Sequence, residues 1–112
     1  MGTSTLRALR HDCCPMEATL DVVGGRWKGL ILYHLLTRPM RFGELCRQMP
    51  LVTQRMLTLQ LRELERDGVV HREIFRQIPP KVEYSLTPLG CSLKPLLLLM
   101  CGWGADYLRL AG

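Results

Sequence analysis

The sequence predicts an α+β fold that is mainly helical, and three observations support this prediction. Residues 53–67 form a helix whose leucines recur at intervals of four and three residues, the spacing of one buried helical face. Two short β-prone segments, 69–76 and 81–86, follow this helix and are joined by a loop with two prolines, which are unsuited to a central strand. A long apolar helix, at about 88–110, ends the chain.

The helix over 53–67 has clear signals at both ends. Thr53 can cap it, because a threonine hydroxyl accepts a hydrogen bond from an unpaired backbone N–H of the first turn. Gly68 follows the last periodic residue and suits the left-handed conformation that ends many helices. The buried face consists of Leu57, Leu61 and Leu64. The opposite, mostly basic face consists of Arg55, Thr58, Leu59, Arg62 and Arg66.

This basic face has two interpretations. A helix anchored by leucines that presents arginines and a threonine outward can enter a DNA major groove. The simpler interpretation is a solvated basic face on an ordinary amphipathic helix. The segments on either side of the helix favour the first interpretation.

Three shorter helices are expected before it. The first begins at Pro15, directs Leu20 and Val23 inward and ends at Gly24-Gly25. The second spans about 26–37, and it is apolar over most of its surface, which predicts a central position. Met40-Arg41 can add a very short strand.

The third helix covers 42–49, with Leu45 and Met49 inward. The tight connection 50–52 then leads into the helix at 53–67. Two helices joined in this way form a helix-turn-helix, in which the second helix reads DNA.

The two β-prone segments predict a wing. Residues 81–86 alternate with period two, so that Val82, Tyr84 and Leu86 share one face. A hairpin directly after a helix-turn-helix is a two-stranded wing, and its tip and flanks carry Arg72, Arg76 and Lys81, which suit contacts with phosphates.

The last helix is expected to begin with Thr87 as cap and Pro88 at its first position, and to kink at Pro95. Apolar residues cover most of its circumference, so it must be buried. A domain of this size cannot enclose it alone, and a partner subunit is the expected cover. A wholly intramolecular core is the alternative.

The totals are those of one small domain. With 112 residues and a formal charge of +5, the chain suits an anionic partner. Its five cysteines are odd in number and contain no CxxC pair, which argues against a disulfide framework and a zinc site. We expect no secretory signal, membrane span, cofactor or bound metal, and a cytoplasmic location. Residues 1–12 are expected to form an N-terminal arm and 13–112 the domain.

In order and spacing, four segments resemble the HxlR-type winged helix-turn-helix transcriptional regulators, a bacterial group related to MarR-like repressors. They read CPMEATLDVVGGRWKGLIL, RFGELCRQMP, TQRMLTLQLRELERDG and PPKVEYSLTPLG, and a Trp-containing helix follows them. The resemblance implies a homodimer whose two reading helices enter successive major grooves of a pseudo-palindromic operator, about 34–36 Å apart.

Carried over by position, the resemblance implies roles for individual residues. The groove-facing candidates are Thr53, Gln54, Arg55, Thr58, Leu59 and Arg62. The wing contacts are Arg76 and Lys81. The dimer interface combines N-terminal residues with the final helix, including Leu96, Leu99, Met100, Trp103 and Tyr107. Leu59 departs from the family pattern, because relatives often have a polar residue there, and it can contact a thymine methyl group or alter the operator preference.

Several members of this family respond to electrophiles, aldehydes or oxidants through a cysteine just before the first helix, which matches Cys14. A thiol at a helix N-terminus favours the reactive thiolate. Cys13 is the neighbouring candidate, although adjacent cysteines join poorly because the ring is strained. The simpler interpretation of Cys46, Cys91 and Cys101 is that of small buried hydrophobes. Whether Cys14 is a sensor or a bystander stays open at this point.

The expected function is therefore an operator-binding regulator, acting as a repressor, with room for a small-molecule or electrophilic inducer. The alternative is a helix-turn-helix protein that serves as a protein-interaction module, for which Leu59 on the exposed face is the only hint. Catalysis is not expected, because the histidines His11, His34 and His71 give no cysteine a positioned base. The acidic residues Glu63, Glu65 and Asp67 are expected to be solvated or paired with Arg62 and Arg66.

Overall fold

The computed structural model describes residues 14–112. The expected N-terminal arm, His11 and Cys13 lie outside this range. The elements follow one another as α1 (Pro15–Val23), α2 (Lys28–Leu35), β1 (Met40–Arg41), α3 (Phe42–Gln48), α4 (Gln54–Arg66), β2 (Val70–Phe75), β3 (Lys81–Leu86), α5 (Pro88–Cys91) and α6 (Lys94–Ala111).

Helix α2 lies at the centre of the domain, as its nearly continuous apolar surface predicts. It packs against α1, α3, α4, α6 and β3. Ile31 and Leu32 are fully buried, and Leu35 nearly so. The helix is shorter than expected, because the residues from Gly24 to Trp27 form the turn before it.

The strands form one antiparallel sheet in the order β1-β3-β2. The wing hairpin pairs Val70 with Leu86 and Phe75 with Lys81. The short strand β1 pairs with the other edge of β3, where Met40 lies opposite Tyr84. The sheet therefore has three strands, and β1 joins the wing to the segment that enters the helix-turn-helix.

One inward assignment near the N-terminus is wrong. Leu20 is 55% exposed, although Val23 is buried as expected. Helix α1 packs mainly on α2, so that only a narrow stripe of its surface is covered. Leu20 and Met16, one turn apart, lie on the uncovered side. Leu30 of α2 also remains exposed at 45%.

The C-terminal segment forms two helices instead of one helix kinked at Pro95. Thr87 caps α5 as predicted, its Oγ1 accepting from the N–H of Gly90 at 3.0 Å. Ser92 and Leu93 end α5, and Pro95 then occupies the first turn of α6, where its missing N–H costs no hydrogen bond. A proline that the sequence analysis placed within a helix therefore marks the start of one.

Helix α5 begins against the exit of α4. Thr87 donates its Oγ1 hydrogen to the carbonyl of Gly68 at 2.6 Å, and its N–H to the carbonyl of Val69 at 3.1 Å. Gly90 packs so closely on the Val69 carbonyl that a Cβ atom there would collide with it. The end of α4 and the start of the C-terminal segment are thus held together. Within the described residues, no helix is long and apolar enough to cross a membrane.

Candidate nucleic-acid interface

Helix α4 has the ends and the buried face that its sequence predicts. The Thr53 hydroxyl accepts a hydrogen bond from the N–H of Met56 at 3.1 Å. At the other end Gly68 has φ +81°, and the N–H groups of Gly68 and Val69 donate to the carbonyls of Glu65 and Leu64 at 3.0 and 3.2 Å. This pair of hydrogen bonds is the Schellman motif, a helix ending that glycine permits. The buried residues are Leu57, Leu61 and Leu64.

The opposite face of α4 forms an exposed stripe. Arg55, Leu59 and Arg62 follow one another at intervals of four and three residues, and all three are exposed, with Leu59 at 45%. Within residues 14–112, neither Arg55 nor Arg62 makes an ion pair. Two cationic groups with no carboxylate partner in this part of the chain therefore flank an apolar side chain.

The remaining groove candidates lie at or beside this stripe. Gln54 is exposed at the first position of the helix. Thr58 is half-buried, and its hydroxyl donates to the carbonyl of Gln54 at 2.9 Å. The hydroxyl lone pairs of Thr58 remain available as acceptors, whereas the hydroxyl hydrogen of Thr53 remains available for donation, because Thr53 uses a lone pair for its cap.

Helix α3 holds α4 through the turn between them. Leu45 and Met49 are buried as predicted, and the N–H of Val52 donates to the carbonyl of Met49 at 3.2 Å, which tightens the turn. At the start of α3, the Glu44 carboxylate accepts from the N–H of Arg41 at 2.9 Å and from Arg38 at 2.8 Å. The backbone hydrogen bond first, and Arg38 second, hold the pKa of Glu44 below its ordinary value.

The wing cations differ in their surroundings. Arg76 follows the last residue of β2 and is exposed, and Ile78 at the tip is fully exposed. Lys81 is half-buried, with its Nζ 3.5 Å from Glu83 Oε2 and 4.8 Å from the centre of the Phe75 ring.

On the flank of the wing, the Nε atom of Arg72 lies 3.7 Å from Glu65 Oε2 on α4. Glu65 is expected from the sequence to be solvated or paired with an arginine of its own helix; its side chain is partly exposed, and the arginine within ion-pair distance is Arg72 of the wing. Burial raises the pKa of the neighbouring Tyr84, so that its phenol stays neutral at physiological pH. Of the two predicted wing contacts, Arg76 is therefore more accessible than Lys81, whose ammonium lies near Glu83.

The ammonium of Lys28 is not predicted from the sequence to take part in any interaction. Lys28 is buried, and its Nζ lies 2.6 Å from Glu63 Oε1 on α4. The partner of Glu63 is therefore Lys28, whereas the sequence suggests either solvent or an arginine of the same helix. A signal was present, because Lys28, Leu32 and Leu35 fall at intervals of four and three residues on the buried face of α2. A lysine on such a stripe needs an acidic partner in the core.

Helix α6 presents a broad apolar surface. Only Leu97 of this helix is buried, so the single chain does not enclose the helix, as expected, and the alternative of a wholly intramolecular core is wrong. Trp103 is 70% exposed and stacks on Tyr107, with ring centres 5.2 Å apart and planes within 10°. Of the predicted interface residues, Leu96 is partly buried and the others are exposed. These exposed residues are Leu99, Met100, Trp103 and Tyr107.

The cysteines are spread over the domain. Cys14 is half-buried directly before α1, where its carbonyl accepts from the N–H of Glu17 at 3.1 Å while its thiol makes no capping hydrogen bond. Cys46 packs partly against the core. The interpretation of Cys91 and Cys101 as buried hydrophobes is wrong for the single chain, because both are exposed.

Comparison with known proteins agrees with this geometry. Residues 22–111 match the family model described as HxlR-like helix-turn-helix. The chain is 61% identical over 94 residues to the uncharacterized HTH-type transcriptional regulator YdeP of Bacillus subtilis (strain 168), which covers 84% of this chain and 73% of YdeP.

Two solved structures of the redox regulator HypR are also similar to the chain. The oxidized form superposes with a TM-score of 0.81 at 59% identity, covering 83% of this chain and 96% of HypR. The reduced form superposes with a TM-score of 0.83 at 56% identity, covering 87% of this chain and 96% of HypR. The similarity spans both the reading helix and the C-terminal helix described above.

Proposed function

The chain belongs to the HxlR-like helix-turn-helix family of transcriptional regulators, and from that premise we propose that it is a homodimeric, sequence-specific repressor. The observation that carries this proposal is the exposed stripe of α4. Arg55 and Arg62 project from a helix whose other face is fixed by three buried leucines. Such a helix can enter the major groove without disturbing the core. A DNA target places the proposed site of action in the cytoplasm.

In the proposed complex, Arg55 and Arg62 donate paired hydrogen bonds to guanine or to phosphates, since the guanidinium fork matches both. Leu59 contacts the methyl group of a thymine between them. The Thr58 hydroxyl accepts from a base amino group. Gln54 and Thr53 lie at the helix start, where the positive end of the helix dipole favours a phosphate.

The wing is proposed to contact the flanking DNA through Arg76 and Lys81. Arg76 is exposed and can approach a phosphate directly. Lys81 would have to exchange Glu83 for a phosphate, because the two side chains lie within ion-pair distance. We therefore expect Arg76 to contribute more to the salt dependence of binding than Lys81.

Dimerisation is proposed to cover the apolar surface of α6. Seven large hydrophobic side chains of this helix are exposed in the single chain, which is more apolar surface than monomers usually leave in contact with water. Met16 and Leu20 add an exposed apolar stripe on α1. A second copy of the chain can cover both surfaces, and the two reading helices then face one operator.

We further propose a thiol switch at Cys14. The support is the similarity to HypR, which is a redox regulator solved in both oxidized and reduced forms. Cys14 directly precedes α1, and its side chain is only half-buried, so that a small oxidant can reach the thiol. Oxidation with diamide would join Cys14 to a second thiol, with loss of two hydrogens to the diamide. Cys13 is the adjacent candidate for the second thiol. An electrophilic inducer would act on the sulfur of Cys14.

A mobility shift with the promoter next to the protein's own gene tests the proposal. Reduced and diamide-treated protein are compared, for wild type and for Cys14→Ser. Specific binding that diamide abolishes in wild type alone supports a thiol-switched repressor. Specific binding that resists diamide in both proteins removes the switch and retains the regulator.

A helix-turn-helix module that binds proteins instead of DNA is the second candidate, and the exposure of Leu59 on the reading face favours it. The two functions differ in their response to salt. DNA affinity that falls steeply with salt signals counterion release from phosphates and supports the repressor. If random-sequence selection enriches no DNA site, the protein-binding module becomes the better explanation.

A further inference from the structure

The buried ammonium of Lys28 joins three elements of the domain. Lys28 is 7% exposed and is the first residue of α2. Its Nζ lies 2.6 Å from Glu63 Oε1 on α4 and 3.4 Å from the carbonyl oxygen of Asp21 in the last turn of α1. One side chain therefore links the start of α2 and the end of α1 to the reading helix.

This position is unfavourable for a cation. The N-terminus of a helix is the positive end of its dipole and repels a lysine. Burial removes the ammonium from water, and the attraction to Glu63 only offsets that loss. Because apolar replacements of buried ion pairs are often as stable as the pair, stability alone does not account for Lys28. A residue that breaks a local rule in this way points to a role in function.

The role follows from where Glu63 lies on α4. Its neighbours in the sequence are Arg62, on the exposed stripe, and Leu64, in the core. The three buried leucines fix which face of α4 packs on the core, but apolar contacts have no preferred direction. The ion pair joins one point of α4, Glu63 Oε1, to the Lys28 Nζ at 2.6 Å, and the same ammonium donates to the Asp21 carbonyl at 3.4 Å. This tether restricts rotation of α4 about its axis at the position next to Arg62.

We propose that Lys28 is a positioning residue for DNA reading: it holds Glu63 so that Arg62 and Leu59 face the groove at the correct angle. This role rests on the proposed function, since it concerns the specificity of the same helix. It requires no contact between Lys28 and DNA. It also explains why α2 begins with a buried charged residue, although the rest of its buried face is apolar.

The decisive variant is the double substitution Lys28→Met and Glu63→Leu, which removes both charges and leaves no buried ion unpaired. We expect its melting temperature to stay within a few degrees of the wild type, and its operator affinity to fall at least tenfold. Its affinity for random duplex DNA and its salt dependence should stay within about twofold of the wild type, because the phosphate-facing cations remain. A merely structural role would lower both affinities together with the melting temperature.

Two further variants keep the test decisive if the double variant does not fold. Lys28→Arg retains the charge, and its operator affinity should stay within about threefold of the wild type. Glu63→Gln retains the size and a hydrogen-bond acceptor but leaves the buried ammonium of Lys28 without a carboxylate, so its melting temperature should fall. Measured well below that temperature, its operator affinity should fall at least threefold, while its affinity for random duplex DNA stays within about twofold of the wild type.

The outcomes separate this inference from the proposed function. A folded double variant, or Glu63→Gln, that discriminates the operator as well as the wild type would overturn the positioning role alone. Wild-type protein that does not discriminate any operator from random duplex would overturn the proposed function and the positioning role together. The positioning role is supported if the double variant no longer discriminates the operator from random duplex while Lys28→Arg still does.

Discussion

At the scale of single residues, the exposed side of α4 combines side chains that already hydrogen-bond within the helix with side chains that have no ion pair in the described residues. Thr53 and Thr58 each use part of their hydroxyl for the helix itself, whereas Arg55 and Arg62 have no ion pair within residues 14–112. Sequence periodicity predicts which side of α4 is exposed, because it depends only on local spacing. It does not predict the Lys28–Glu63 pair, because that contact joins positions 35 residues apart in the chain.

Substitution of Arg62 tests the open part of the reading face. Arg62→Ala should weaken operator binding by about ten- to hundredfold, the usual contribution of a good arginine–base contact. The melting temperature should not change, because the side chain is exposed. Titration of labelled operator and thermal denaturation measure the two quantities. Arg109→Ala is the matched control, since it removes the same charge from an exposed pair with Asp106 on α6. Equal affinities for Arg62→Ala and the wild type would count against this face.

Thr53 allows helix capping and DNA contact to be separated. Thr53→Val removes the cap and should destabilise the protein by about 1 kcal/mol. Thr53→Asp keeps a good cap and should preserve the melting temperature, but its carboxylate would repel a phosphate at the helix start and weaken DNA binding. Thermal denaturation and operator titration of both variants are the measurements. Operator affinity of Thr53→Asp equal to that of the wild type would show that no phosphate approaches this end of α4.

At the scale of the elements, local signals predict α4 well and the C-terminal segment poorly. Thr53 and Gly68 mark the ends of α4 in the sequence, and the structure places the cap and the left-handed turn there. Pro95 is an ambiguous signal, since proline both kinks a helix and begins one. The choice between them depends on the turn at Ser92 and Leu93, which packs against other elements. The exposure of Leu20 likewise depends on how little of α1 is covered.

The start of α3 predicts a dependence of stability on pH. The pKa of Glu44 is lowered in the folded protein by the Arg41 N–H and by Arg38, so the ionised form stabilises the fold. This contribution is complete above the unfolded pKa of a glutamate, about 4.3, and is lost as the pH falls through the lower folded value. Thermal denaturation of wild type and Glu44→Gln between pH 7 and pH 3 should show a difference at pH 7 that shrinks on acidification. A difference that grows toward pH 3 would contradict the assigned cause.

At the scale of the whole molecule, the single chain leaves one large surface unexplained by its own fold. The sequence predicts that α6 is too apolar to stand in water, and the structure shows it exposed along most of its length. Neither observation identifies the covering partner, because hydrophobic surfaces are not selective. A second copy of the same chain is the proposed cover, because a dimer would match an operator with two half-sites.

Substitution of Trp103 tests this assignment. Trp103→Glu places a charge in the middle of the apolar surface and should convert the proposed dimer to a monomer, since burial of an unpaired carboxylate is costly. Light scattering after size-exclusion chromatography measures the mass. Ile78→Glu is the control, because it adds the same charge at another fully exposed apolar residue, on the wing tip, and should leave the mass unchanged. A Trp103→Glu protein that remains dimeric would show that Trp103 does not lie in the dimer interface.

The close joint between Thr87 and the exit of α4 bears on the choice of operator. Two hydrogen bonds from Thr87 and the packing of Gly90 connect the end of the reading helix to the segment that leads into α6. In the proposed dimer, the distance between the two reading helices then follows from the angle at which the two copies of α6 cross. The number of base pairs between half-sites is thereby set by residues that never approach DNA. Relatives with the same reading helix but a different α6 would select the same half-sites at another spacing.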